Sequence, residues 1–207
     1  WLVAETERRS VERQVGPANS ARFIGLLRER DQGSMVAAVV AQVRAAGGPL
    51  LDETVLDVLA AIAAADGPDA AAAAHAIDVA LAHDLERWAR GWGGNGMALC
   101  CLLADGAREV GHGGAGKRLA PIVAAVADRN VVFGMPPVLA LGWGSYYLGC
   151  CHLSVSDVET GAPWLEEALT RNVSMGALPF VARSHLALAL AQVRVAEGAG
   201  SGAVAHA

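Results

Sequence analysis

Asp52-Glu53-Thr54-Val55-Leu56-Asp57-Val58-Leu59-Ala60-Ala61-Ile62-Ala63-Ala64-Ala65 sets Val55, Leu56, Leu59 and Ile62 in register with one another. That is the i, i+3, i+4 spacing of one helix face. An aspartate stands at the head of the run, where its side chain can accept from the first unpaired amides of a helix. The same grammar recurs outward in both directions. Phe23, Ile24 and Leu27 repeat the spacing upstream, and Ser34, Asp69 and Asn95 stand as start signals before Met35, the Ala70 to Ala74 run and Met97. Gly and Pro clusters at Gly47-Gly48-Pro49, Gly67-Pro68, Gly91 to Gly94, Gly111 to Gly114, Gly134 to Pro137, and Gly176 with Pro179 divide the chain into segments of helical length.

The segments predict helices over 2–14, 18–32, 34–46, 52–65, 69–84, 95–110, 115–129, 137–153, 160–174 and 179–197, with Pro121 and Pro163 as internal irregularities. Almost nothing alternates with period two, so no strand is expected. Onsets at 52, 95, 137 and 179 recur at about 42 residues, a period of stacked helical repeats. The expected fold is therefore all-α: antiparallel helix pairs stacked into a solenoid with a concave face, one repeat domain over 1–197 and a flexible tail over 198–207. The chain begins at Trp1, not Met, which suggests a piece of a longer protein.

Composition narrows the function. Hydrophobic residues make up 54% and aromatics 5%, so Ala, Val and Leu supply the core and helices can approach closely. A formal charge of -5 and a single lysine, Lys117, argue against direct nucleic-acid contact, which needs clustered Lys and Arg. No apolar run reaches the roughly 18 to 20 residues of a membrane span, and the setting expected is cytoplasmic. The vicinal pairs Cys100-Cys101 and Cys150-Cys151 lie in apolar helical segments, where reduced, buried thiols are expected.

A run of residues then resembles a known family. Lys117-Arg118-Leu119-Ala120-Pro121, Ala127-Asp128-Arg129-Asn130-Val131-Val132-Phe133-Gly134, Tyr147-Leu148-Gly149, Trp164-Leu165-Glu166-Glu167-Ala168-Leu169 and Met175-Gly176-Ala177-Leu178-Pro179 are similar to the tetratricopeptide-like tail of bacterial multidomain regulators. Such regulators carry a LuxR-type DNA-binding domain or a nucleotide cyclase with an AAA-type ATPase. The similarity covers about 95 to 197 and, more weakly, Phe23 to Gly33. It implies a right-handed solenoid and a non-catalytic role: binding a protein segment or another domain of the parent chain, with a small-molecule effector in the superhelical groove as the alternative.

The candidate chemistry reduces to a few constellations. Gly111-His112-Gly113-Gly114-Ala115-Gly116-Lys117-Arg118 satisfies G-x-x-x-x-G-K but has Arg where a phosphate loop holds magnesium with Ser or Thr. It is expected to be a turn. Adjacent cysteines on a helix diverge by about 100° and do not present both sulfurs to one metal. No nucleophile, base and acid assemble in sequence, so neither catalytic residues, metal nor cofactor is expected. If, in the packing register that the tetratricopeptide resemblance implies, Gly149 and Ala189 hold the close-contact positions of their helices, Trp143, Tyr146 and Arg183 face the concave surface; the alternative is that Trp143 packs against the next repeat. Successive first helices then form a row of Met97, Trp143 and Arg183, with Tyr146 one turn further on, as the partner-binding site.

Overall fold

The computed structural model describes residues 33–46, 52–92, 94–133 and 139–204. The segments expected as helices over 2–14 and 18–32 lie outside them. The described helices are α1 (Gly33–Ala46), α2 (Glu53–Ala65), α3 (Ala70–Leu81), α4 (Leu85–Gly91), α5 (Gly94–Val110), α6 (Gly113–Val123), α7 (Ser145–Ser154), α8 (Val158–Ser174) and α9 (Leu178–Val204). Asp52 and Asp69 cap α2 and α3 as their positions predict, accepting from Thr54 and from Ala71 and Ala72. Ser34 and Asn95 fall inside helices that begin a residue or more earlier. Asp84 caps α4, a short helix between the segments expected over 69–84 and 95–110 that the sequence reading does not include, and Asp157 caps α8.

One expectation fails. In place of a helix opening at 137 there is an antiparallel pair, β1 (Asn130–Phe133) and β2 (Leu139–Trp143), so the fold is not sheet-free. Val131-Val132-Phe133 is β-branched and aromatic, which suits a pleated strand more than a helix. Val131 and Phe133 point inward and Val132 outward, the strand period. Opposite them the register slips between Val131 and Val132, and Gly142 at φ +85° takes the bulge that an L side chain would resist. Its missing Cβ matters too, since that atom would stand 2.8 Å from the ring of Phe180 on α9. The helices opening at Glu53, Gly94, Ser145 and Leu178 therefore do not keep the even interval expected from the sequence.

The core is centred on α5 and α7. Leu99, Leu102 and Leu103 of α5 and Tyr147, Leu148 and Leu153 of α7 are buried with Leu59, Ile62, Leu119 and Leu165 from the surrounding helices. α7 is enclosed by α5, α6 and α8. Gly149 is the point of closest approach between α7 and α8, where a Cβ would meet Leu165 Cγ at 2.8 Å and the Gly161 carbonyl at 3.0 Å. The close-contact role expected of Gly149 is thus the one it has. Ala189, expected to match it, is exposed. α9 packs chiefly on α8, with its other side facing outward.

Candidate functional site

Three of the four residues expected to form a binding row gather where the hairpin, α7 and the start of α9 meet, but they do not form an open platform. Because α7 begins at Ser145, Tyr146 sits in its first turn and is buried at 3% exposure. Its hydroxyl donates to Asp105 Oδ1 of α5 at 2.9 Å. The same oxygen accepts from Arg108 Nε at 3.3 Å and Nη2 at 3.0 Å, and from the Cys150 thiol at 3.7 Å. Arg108 also reaches Glu109 at 3.2 Å. A carboxylate at 2% exposure is tolerable only with donors of this kind around it. Burial, and then the Asp105 charge, push both the Tyr146 hydroxyl and the Cys150 thiol well up, while the Arg183 guanidinium pulls Tyr146 the other way. Both groups stay protonated, which makes them hydrogen-bond donors and poor nucleophiles.

Trp143 and Arg183 lie nearer the surface, both half-buried. The Trp143 amide donates to Asn172 Oδ1 at 3.2 Å, and the Arg171 guanidinium lies over its ring at 5.4 Å. Arg183 lies over the Phe180 ring at 5.8 Å. The Trp143 indole N–H, the amide oxygen of its ladder partner Asn130 and the Ser145 hydroxyl are buried without a protein partner, a polar seam at the hairpin base. Met97 is half-buried against the core on α5, about two turns before Asp105.

The surface that the sequence row missed begins beside this cluster. Around the turn from α8 to α9, Val173 at the end of α8, Met175 in the turn and Leu178 at the start of α9 are exposed, Leu178 at 73%. The exposure continues along α9 through Leu186 at 59%, Leu190 at 43% and Val193 at 52%, while Ser184, Ala187 and Ala191 on the opposite side are buried. Both sets recur with helical period, so α9 is apolar on two faces and covered on one.

The remaining constellations lie elsewhere in the fold. His83 Nε2 lies 2.8 Å from Asp57 Oδ2 and its Nδ1 3.3 Å from Thr54 Oγ1, a hydroxyl, imidazole and carboxylate in series. Arg44 holds the other Asp57 oxygen at 2.5 Å. The amides of Thr54, Val55 and Leu56 are all bound to Asp52, so none of the three is left to stabilise an oxyanion beside Thr54. At Gly111 to Arg118 the chain runs from α5 into α6, with the His112 ring accepting from Ala115 N and Arg118 donating to the Leu81 and His83 carbonyls. The strand that aims a phosphate loop is not what precedes it. All four cysteines are free and buried, and no group of His, Cys, Asp and Glu suited to a metal occurs among the described residues. No described helix is long and apolar enough to cross a membrane. An open groove of about 510 Å³ between α1 and α2 is lined by alanines, Val40 and Arg44. It lacks the convergent polar groups that give a ligand site its specificity. No family model, curated protein or solved structure matches this chain.

Proposed function

We propose that the chain is a non-catalytic helical scaffold that binds a helical protein segment on the outer face of α9 and the adjoining α8 to α9 turn. The supporting observation is the exposed series Val173, Met175 and Leu178 about the α8 to α9 turn and Leu186, Leu190 and Val193 along α9. Patches of this kind on a soluble domain mark interaction sites. Trp143 and Phe180 at one end, each with an arginine over its ring, have the composition of interface anchors. The buried Asp105 cluster serves this role indirectly, by fixing α5 against α7, the helix on which α8 and then α9 are layered. A tetratricopeptide-like stacking of helix pairs, and a place in a larger bacterial regulator, fit this reading and rest on the sequence resemblance alone.

The test is a photo-crosslinking residue at Leu186, with Glu86 on α4 as the control position. The expected result is a protein adduct from Leu186 that peptide mapping places on an amphipathic helix, and none from Glu86. No adduct at Leu186, together with a small molecule that saturably raises the melting temperature, would replace the scaffold with a sensor.

A further inference from the structure

We infer that the base of the hairpin, where β2 runs into α7, is the binding site of a small α-hydroxy acid. The inference does not depend on the docking reading and goes beyond it. The antiparallel ladder sets Asn130 opposite Trp143, which brings the Cβ atoms of such a pair to about 5 Å. Two residues on, the chain turns into α7: the Gly144 amide donates to the Arg129 carbonyl at 2.8 Å, and Ser145 opens the helix fully buried. Three polar atoms at this corner are buried without a protein partner, the Trp143 indole N–H, the Asn130 amide oxygen and the Ser145 hydroxyl. Asn130 and Trp143 are themselves half-buried, so the seam runs from the surface to the first turn of α7.

Each stranded group costs free energy that a bound molecule would return, and their chemistry defines that molecule. The indole only donates, the amide oxygen only accepts and the hydroxyl does either. Gly144 supplies no side-chain cap to α7, and the first amides of a helix are unpaired within it and favour negative charge. Indole, hydroxyl and helix end therefore suit one carboxylate, and the Asn130 oxygen calls for a donor beside it. A phosphate dianion would set negative oxygens against that carbonyl. The surroundings are basic. Arg171 lies over the Trp143 ring at 5.4 Å while bound to Glu167 at 2.7 Å, and Arg183 is close enough to Tyr146, the residue after Ser145, for its charge to act on that hydroxyl. Asp105, which Tyr146 binds, is paired with Arg108 at 3.0 Å. Two arginines nearby disfavour an ammonium as the donor, which leaves a hydroxyl on the carbon next to the carboxylate.

The test uses lactate, with propionate, which lacks the hydroxyl, and lactamide, which lacks the charge, as comparisons. The readout is the Trp143 indole N–H resonance of the whole chain, assigned by its loss in Trp143→Phe. Lactate is expected to shift it saturably, with a dissociation constant on the order of 1 mM. Propionate is expected to bind about tenfold more weakly, since it leaves the Asn130 oxygen unpaired, and lactamide to give no shift. Ser145→Ala is expected to weaken lactate about tenfold with unchanged helical circular dichroism. Asn130→Ala is expected to lower lactate to the affinity of propionate and leave propionate as it was, a change of selectivity that a merely structural role would not produce. No saturable shift from any of the three would make a buried water the occupant and overturn the inference. Equal shifts from all three, or from inorganic phosphate, would overturn it as well. Neither result bears on the Leu186 adduct, so the two readings fail separately.

Discussion

α7 and α9 are both rich in apolar residues and come to opposite ends. α7 is ten residues of which nearly all are buried, gripped by α5, α6 and α8, with Gly149 letting α8 approach. α9 has an equally continuous apolar pattern, yet only its Ser184, Ala187 and Ala191 side is covered. Apolar periodicity thus sets where a helix wants a neighbour, and the fold decides whether the chain itself supplies one. What α7 receives from within the chain, α9 receives on our account from outside it.

The largest expected separation between the two regions is alkaline. Burial pushes the Cys100 and Cys151 thiols up to about 12, and Cys101 and Cys150 well up, all at the junction of α5 with α7. In the unfolded chain a thiol ionises near 8.5. A folded-state value raised above the unfolded one means that the stability is fully present below about pH 8.5 and is lost as pH climbs from there toward 12. Urea unfolding compared at pH 8 and 10 should show a loss of about 2 kcal/mol per thiol. The α9 strip has no titrating group to contribute. A flat profile would mean that the thiols reach solvent and that the α5 to α7 junction is looser than described.

Next in size is Asp105→Ala, which leaves Arg108 buried without its principal acceptor and strands the Tyr146 hydroxyl. Removing one member of a buried ion pair costs about 3–5 kcal/mol, to be read from denaturant midpoints. Gly149→Ala is expected to cost less, about 1–3 kcal/mol, because the added methyl must displace Leu165 or the Gly161 backbone. If either variant proves neutral, α7 is not the tightly enclosed helix that the contrast requires.

Most helices were legible because their period and caps agree: Asp52 and Asp69 stand where a side-chain acceptor completes a first turn. The hairpin was not. Val131 to Phe133 is too short for period two to stand out, and Leu139 to Trp143 runs straight into a true helix, so an apolar stretch of this kind reads equally as one longer helix. That error carried into the site. Starting the helix at 137 rotates Tyr146 outward, whereas a start at Ser145 turns it onto Asp105. The Asp105 and Arg108 pair was visible as an i, i+3 spacing, but its burial depends on Tyr146 and Cys150, distant in sequence. Leu186, Leu190 and Val193 were equally visible as a periodic strip. One sequence shows that α9 has two such strips and does not show which of them the fold covers.

On this reading the outer face of α9 contributes nothing to the chain's own fold. Urea unfolding of Leu148→Ala on α7 and Leu186→Ala on α9 tests it most directly. Leu148 is 6% exposed and Leu186 59%. The expected loss is about 2–5 kcal/mol for the first, and the second should change by no more than about 0.5 kcal/mol. A loss at Leu186 comparable to that at Leu148 would show that another part of the same chain covers this face, and the interface would be no interface at all.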